Sequence, residues 1–378
     1  MKTLFLILLF TATALPAQVA ELTLLDVSTK QPIPNVEAYY TRSLNGTITN
    51  EEGKLRIAVE NDTLTLSHIG YATKKIFTDK TFAKATIYLN PQEIQLDEVV
   101  VYNFDLKKKV KYVLDNYFKL YDTKAKILEC TYREKTTKND KLIRLYQNQL
   151  NWWSKNYVYQ FKEPLNKFTH IQLKSTDYSK IIGKEEDTSN ELSLEQRRLI
   201  MYLHLNPYLV FLYNAKTIDI KKVEKDNEYT IVTFDADFGK FDLNVFNSVI
   251  YFDNQTNAIK KIIFNQVPYT KERVSEKSKI PYKSTPEFAT WELTFTSYKD
   301  KLLFSSFAVK AKVRVEFEEK TYIYFSEENF LRTGIQNKHI KKEDRIEVEK
   351  PFFEYVTPHK QGEAKFLLTK EEQEFINQ

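Results

Sequence analysis

The chain has 378 residues, 42% hydrophobic and 14% aromatic, which excludes wholesale disorder and leaves room for two domains with a sizeable core. Its 56 Lys and Arg stand against 51 Asp and Glu, a formal charge of +5 with both signs interspersed, and nothing in it resembles a nucleic-acid footprint. A single cysteine, Cys130, excludes an intramolecular disulfide, while 24 Tyr and 26 Phe beside only 7 Gly lean the composition toward sheet.

Residues 1–17 read as a secretory signal. Lys2 supplies the positive start, Leu4 to Leu15 the apolar core and Pro16-Ala17-Gln18 a small-residue exit. That apolar run is too short to span a bilayer, which takes about 20 residues. Cys130 lies far from this exit, so it offers no lipidation site. It has no histidine near it in sequence, and its neighbours Ile127, Leu128 and Tyr132 predict a buried, inert thiol.

Residues 18–102 form the first unit. Strands are predicted at Val19–Leu25, Val36–Tyr40, Leu55–Val59, Thr63–Ser67, Ala72–Phe77 and Ala85–Leu89, from period-2 alternation between turn residues. Gly46, Gly53 and Gly70, the last followed by Tyr71, are read as tight turns. Short strands at this spacing predict an immunoglobulin- or prealbumin-like sandwich.

Three stretches carry a family resemblance: Gln31-Pro32-Ile33-Pro34-Asn35-Val36, Gly46-Thr47-Ile48-Thr49-Asn50-Glu51-Glu52-Gly53, and Ser67-His68-Ile69-Gly70-Tyr71. With the ending Leu96-Asp97-Glu98-Val99-Val100-Val101, they resemble the carboxypeptidase-regulatory-like domain, frequent in Bacteroidota envelope proteins. The opening departs from that pattern, with Ala20-Glu21-Leu22-Thr23 in place of Gly-x-Val. The resemblance implies a carbohydrate-binding-like, transthyretin-like sandwich and an accessory rather than a peptidase role.

Residues 103–123 change period. Leu106, Val110, Val113, Leu114, Tyr117 and Leu120 recur at three and four, predicting an amphipathic helix whose other face bears Lys107, Lys108, Lys109 and Lys111. A basic face could rest on anionic lipid; Asp105 and Asp115 dilute it toward a solvated surface.

Residues 124–378 predict an α+β domain dominated by antiparallel strands. They include Ile127–Lys135, Lys141–Trp152, Tyr157–Phe161, Thr217–Val223, Tyr229–Ala236, Val245–Phe252, Ile259–Gln266, Trp291–Tyr298, Phe307–Phe317 and Lys320–Phe325. Val309, Ala311, Val313, Val315 and Phe317 make one apolar row against Lys310, Lys312, Arg314 and Glu316, a row that a helix or a hydrophobic ligand must cover. A helix is expected over Leu194–Leu205, ended by Asn206-Pro207, with long loops at Asp177–Asn190 and Val267–Pro286. The run Cys130-Thr131-Tyr132-Arg133-Glu134-Lys135 also resembles the second domain found beside such N-terminal modules, which implies a curved sheet wrapped on helices.

Catalytic patterns are missing. None of the five histidines (His68, His170, His204, His339, His359) begins a His-x-x-Glu, and there is no Gly-x-Ser-x-Gly elbow, phosphate loop or dinucleotide fingerprint. The carboxylate clusters Glu51-Glu52 and Glu185-Glu186-Asp187 read as solvated. Trp152 and Trp153 point to opposite faces of a strand, so one can be exposed to stack on a sugar or partner while the alternative packs it under a loop. With Tyr132, Arg133 and Glu134 they are the candidate ligand-binding residues. The sequence thus predicts a mainly β, non-enzymatic secreted protein of the periplasm or outer membrane. No cofactor or metal is expected, and the partner is an outer-membrane protein, a glycan or a lipid. The alternative is an integral outer-membrane β-barrel carrying a periplasmic sandwich.

Overall fold

The computed structural model describes residues 18–68, 70–91, 104–182, 196–239, 244–274, 279–317, 319–348, 350, 352–357 and 367–378. The signal segment, Asp97, Glu98, the Glu185-Glu186-Asp187 cluster and His359 lie outside them. The protein is mainly β, an N-terminal sandwich followed by a large antiparallel sheet with helices.

The sandwich is built from β1 (Val19–Asp26), β2 (Glu37–Tyr40), β3 (Gly46–Ile48), β4 (Lys54–Ala58), β5 (Asp62–His68), β6 (Tyr71–Thr78) and β7 (Lys84–Leu89). One sheet runs β4-β1-β7 and the other β3-β2-β5-β6. Their inward residues, among them Leu22, Leu24, Leu55, Ile57, Leu64, Leu66, Ile87 and Leu89, share one core. Gly53 is a turn glycine as expected: its φ is +68°, and an added Cβ would stand 2.5 Å from the Leu24 carbonyl. Gly46 is not. It is the first residue of β3, where a Cβ would meet the Ala38 carbonyl of β2 at 2.8 Å, so close approach of the paired strand rather than a positive φ demands glycine there.

The linking helix breaks in two, α1 (Leu106–Asp115) and α2 (Tyr117–Leu120), with Asp105 capping α1 by accepting from the Lys108 amide. Leu106, Val110, Val113, Tyr117 and Leu120 are buried as their period predicts. The basic face is only partly solvated: the Lys107 ammonium donates to the Ala215 carbonyl at 2.6 Å, Lys109 reaches Asn257, and Lys111 pairs with Asp115.

The second unit contains β8 (Lys126–Lys138), β9 (Lys141–Ser154), β10 (Thr169–Ile181), α3 (Gln196–Tyr202), α4 (Leu205–Tyr213), β11 (Thr217–Lys225), β12 (Tyr229–Asp237) and β13 (Val245–Asp253). It continues through β14 (Ile259–Asn265), β15 (Lys271–Val274), β16 (Pro281–Tyr298), β17 (Lys301–Phe317), β18 (Lys320–Gln336) and α5 (Lys370–Asn377). The strands make one 11-stranded sheet of order β10-β9-β8-β18-β17-β16-β14-β13-β12-β11, with β15 paired to β16. Every pairing in it is antiparallel. The path is open: among the described residues the terminal strands β10 and β11 do not pair with each other, unlike the closed set a barrel needs. Strand length does not separate this sheet from a barrel, since β16 has 18 residues and β17 and β18 have 17 each. No described helix is long and apolar enough to cross a membrane.

The inner face is filled. Trp152, Phe234, Phe252, Ile262, Leu293, Phe304, Phe307 and Phe330 of the sheet join Val110, Val113, Leu205 and Leu209 of the helices in a single cluster. At roughly 1.5–3 kcal/mol per fully buried large apolar side chain, this core dominates the stability of the unit.

Several sequence expectations are corrected. Tyr157–Phe161 is not a strand. Tyr157 has a φ of +49°, and the amide and carbonyl of Tyr159 are taken up at 2.8 and 3.0 Å by the side chain of Asn206, which replaces a partner strand. Asn206-Pro207 does not end a helix but begins one: α3 stops at Tyr202, and Pro207 stands in the first turn of α4, where an amide has no partner to lose. The expected loop from Asp177 is strand β10 as far as Ile181, and the Val267–Pro286 loop holds β15 and the start of β16. The apolar row of β17 is divided: Val309 belongs to the main core, whereas Val315 packs with Tyr282 and Tyr324 in a small cluster of its own toward the sheet's end. Cys130 is buried, its thiol 3.5 Å from the Leu128 carbonyl.

His204, the N-cap of α4, supplies a pH test. It is fully buried, its Nδ1–H donates to the Ile200 carbonyl at 2.7 Å, and burial pulls its pKa from 6.5 to about 4. The folded state therefore holds the neutral ring. The stability contributed is complete above pH 6.5 and is lost as pH falls toward 4, about 3 kcal/mol in total. Urea unfolding across this window should show the wild type losing stability relative to His204→Gln; parallel curves would refute the assignment.

Candidate functional site

The module docks on the outer face of the large sheet. Strand register explains where. Ile231, Tyr251, Lys261, Thr294 and Ser306 are successive cross-strand partners over β12, β13, β14, β16 and β17, forming one row on the face opposite the aromatic core. At the end of that row Ser306 Oγ donates to Glu37 Oε1 at 2.6 Å, and Ser305 Oγ donates to Glu37 Oε2 at 3.0 Å. Beside it, the Arg332 guanidinium is buried. It donates to the Phe304 carbonyl (2.7 Å), to Thr296 Oγ1 (3.1 Å) and, across the interface, to the Leu44 carbonyl (3.4 Å). Leu44 holds a left-handed φ of +60° and is buried outside the module's own core. Lys310 of β17 adds an ion pair with Glu51 at 3.9 Å.

Between the docked module and the row lies a cleft of about 150 Å³. The module wall is Glu37 and Tyr39 of β2 with Ser67, His68, Gly70 and Tyr71 around the β5–β6 turn. The sheet wall is the β11–β12 turn (Asp226, Glu228, Tyr229) with Tyr251, Lys260 and Thr294. Four phenols therefore meet in one concavity, with Tyr229 and Tyr251 edge-to-face at 6.2 Å. Burial raises the pKa of Tyr39 and of Tyr251 each to about 12 and pushes Tyr229 up as well, with Glu228 hydrogen-bonded to its phenol, so all three stay protonated donors.

The charged groups of the cleft are held by local hydrogen bonds, and Lys261 by an ion pair. Asp226 Oδ1 accepts from the amides of Glu228 (2.7 Å) and Tyr229 (2.5 Å), closing the turn. Tyr71 donates to Asp26 at 2.9 Å. Lys260 donates to Ser297 Oγ at 2.7 Å, and burial lowers its pKa against the attraction of Asp253 and Glu228. Lys261 pairs with Glu292. The site is neutral in effect, rich in hydroxyl groups and aromatic surface. No three His, Cys, Asp or Glu side chains gather as a metal site among the described residues.

Among the described residues, the sequence-derived candidates other than Gly70 and Tyr71 lie elsewhere. Trp152 is in the core: its Nε1 donates to Thr169 Oγ1 at 2.9 Å, and its ring meets Tyr157, His204, Phe304 and Phe330. Trp153 stacks on His170 at 4.8 Å and packs with Ile127 and Ile340, so the outer tryptophan is also covered. Tyr132 and Glu134 belong to a buried inner network in which Tyr132 donates to Glu328 (2.6 Å) and Arg144 pairs with Glu134 (2.8 Å). Arg133 faces the other way and pairs at 2.6 Å with Glu372 of α5. These residues hold the sheet to its flanking segments and bring no common surface together.

Tyr229 and Tyr251 carry the signal that sequence reading passed over. Val232, Phe234, Ile250 and Phe252 already fill the inward positions of β12 and β13. An aromatic ring at the alternate, wet position is then surplus to the core and points to a surface that will be covered.

Glu37 provides a second titration test. Its enclosure between module and sheet raises its carboxyl pKa, opposed by the two serines and Lys261. The protonated form is thus favoured in the folded state. That contribution is complete below the usual 4.5 and is lost as pH rises through the elevated value. Glu37→Gln, which is uncharged at every pH, should match or exceed the wild-type Tm at pH 7, with its relative advantage shrinking by pH 4. An advantage that grows on acidification would contradict this.

Residues 23–101 match the CarboxypepD_reg-like domain family. No curated protein matches the chain. Among solved structures, a LolA superfamily protein from Nitrosomonas europaea is 8% identical and covers 67% of this chain and 100% of its own, with a TM-score of 0.23. A putative membrane-associated protein of unknown function from Bacteroides fragilis is 8% identical and covers 84% of this chain and 98% of its own, with a TM-score of 0.15. The N-terminal sandwich, on its match over residues 23–101, is a CarboxypepD_reg-like domain.

Proposed function

We propose that the chain is a non-catalytic, exported binding protein of the cell envelope, in which the CarboxypepD_reg-like module and the large sheet form the two walls of one recognition site. The observation that carries this is the 150 Å³ cleft itself, which needs Glu37, Tyr39 and Tyr71 from one unit and Tyr229 and Tyr251 from the other. Domain interfaces are common places for ligand sites. A buried aromatic core leaves the inner face of the sheet occupied, so recognition falls to the outer face. Export rests on the signal-like residues 1–17, with cleavage near Ala17.

Two measurements test this. Expressed in a secreting host, the chain should carry a mature N-terminus near Gln18 by mass spectrometry; an intact Met1 would remove export from the reading. The full mature chain, screened by thermal shift against saccharides, amino acids, amines and fatty acids, should be stabilised by one class without converting it. Tyr251→Ala should abolish that shift. Hits that are turned over, or that ignore Tyr251→Ala, would defeat the proposal.

A further inference from the structure

We infer that the cleft between the module and the sheet takes a neutral saccharide unit about the size of one hexose ring; this rests on the reading of the cleft as the binding site. Three observations lead there.

The first is size. The 150 Å³ volume is about ten times the ~10–15 Å³ that admits one water, space for about a dozen non-hydrogen atoms. A hexose fits; a long acyl chain or a folded peptide segment does not.

The second is charge. Asp226 is committed to its own turn, Lys260 to Ser297 and Lys261 to Glu292. Glu37 is committed to Ser305 and Ser306. Glu228, also on the wall, is engaged by the Tyr229 phenol. A charged ligand would have to displace one of these hydrogen bonds or the Lys261–Glu292 pair. An uncharged ligand disturbs none of them.

The third is the kind of surface that remains. Tyr39, Tyr229 and Tyr251 offer apolar ring faces beside hydroxyl groups held protonated, and Ser67 and Thr294 add more hydroxyls. A sugar ring has the matching chemistry, C–H patches for aromatic faces and a rim of groups that donate and accept hydrogen bonds. Tyr251 is central because its row neighbours Ile231 and Lys261 seat it in the middle of the sheet wall.

The test uses the full mature chain in isothermal titration. Glucose, galactose, N-acetylglucosamine, lactose and diacetylchitobiose are the saccharide probes; tyramine and octanoate are the charged comparators. At least one saccharide should bind with a Kd of about a millimolar or tighter. Tyr251→Phe, which keeps the ring and loses the hydroxyl, should weaken it about two- to ten-fold. Tyr251→Ala should weaken it more than about ten-fold, with each variant's melting confirming that it is folded. Saccharide binding indifferent to both variants overturns the site. Binding of tyramine or octanoate that depends on Tyr251, with none of the saccharides, overturns the ligand class and leaves the two-walled binding site standing. Silence from every probe at about 50 mM overturns both, since the weakest useful affinity would be exceeded.

Discussion

Arg332 is the hinge-pin of this molecule. A guanidinium removed from water is costly unless its donors find acceptors, and here burial lowers its pKa while the field of Glu37 opposes the shift. Two of its hydrogen bonds go to the sheet that carries it, at Phe304 and Thr296, and one crosses to the Leu44 carbonyl of the module. The module thus supplies the third acceptor of a buried guanidinium that the sheet alone leaves with two. Leu44 shows the reciprocal constraint: a leucine at φ +60° is an unfavourable conformer of about 1 kcal/mol or more, set in the turn after β2 where its amide donates to the Tyr40 carbonyl and its carbonyl accepts from Arg332. The cleft follows from this docking, since neither wall encloses anything alone.

The division of the large sheet into two faces sets where open surface remains. Its inner face is packed with rings, Trp152 against Phe304, Phe330 and His204, and is closed by α1, α3 and α4. On the outer face, α5 is clamped over the β8–β10 side by the Arg133–Glu372 pair, and the module covers the region of β16 to β18. The hydroxyl- and tyrosine-bearing row between Ile231 and Ser306 is what these two covers leave partly open.

Much of the fold was legible in sequence, for identifiable reasons. Strands such as β12 and β13 alternate cleanly because one face is in the core, and α1 shows its period because it lies on that core by one stripe. The strand β10 was hidden because Lys174, Ser175 and Thr176 are polar side chains between two register shifts beside β9, which blurs period 2. Helix α4 was hidden by Pro207, a breaker everywhere except in a first turn. Helix α5 did leave a readable mark, the Thr369-x-x-Glu372 capping box before Phe375-Ile376. The site was the least legible part. Trp152 and Trp153 attract attention as large aromatics, yet both are structural. The cleft residues come from strands more than 180 positions apart, from Glu37 to Tyr229 and Tyr251, and only the docking brings them together.

The rigid seat of the module on the sheet is the central claim, and a distance across it is the direct measurement. Spin labels placed at the exposed Lys84 of β7 and the exposed Lys320 of β18, each through a cysteine substitution, would report on it by double electron–electron resonance, with Cys130 buried and unlabelled. The account predicts one narrow distance distribution in the wild-type background, broadening when Arg332→Met removes the bridge. A broad distribution in the wild-type background, that of a module tethered but not docked, would contradict it.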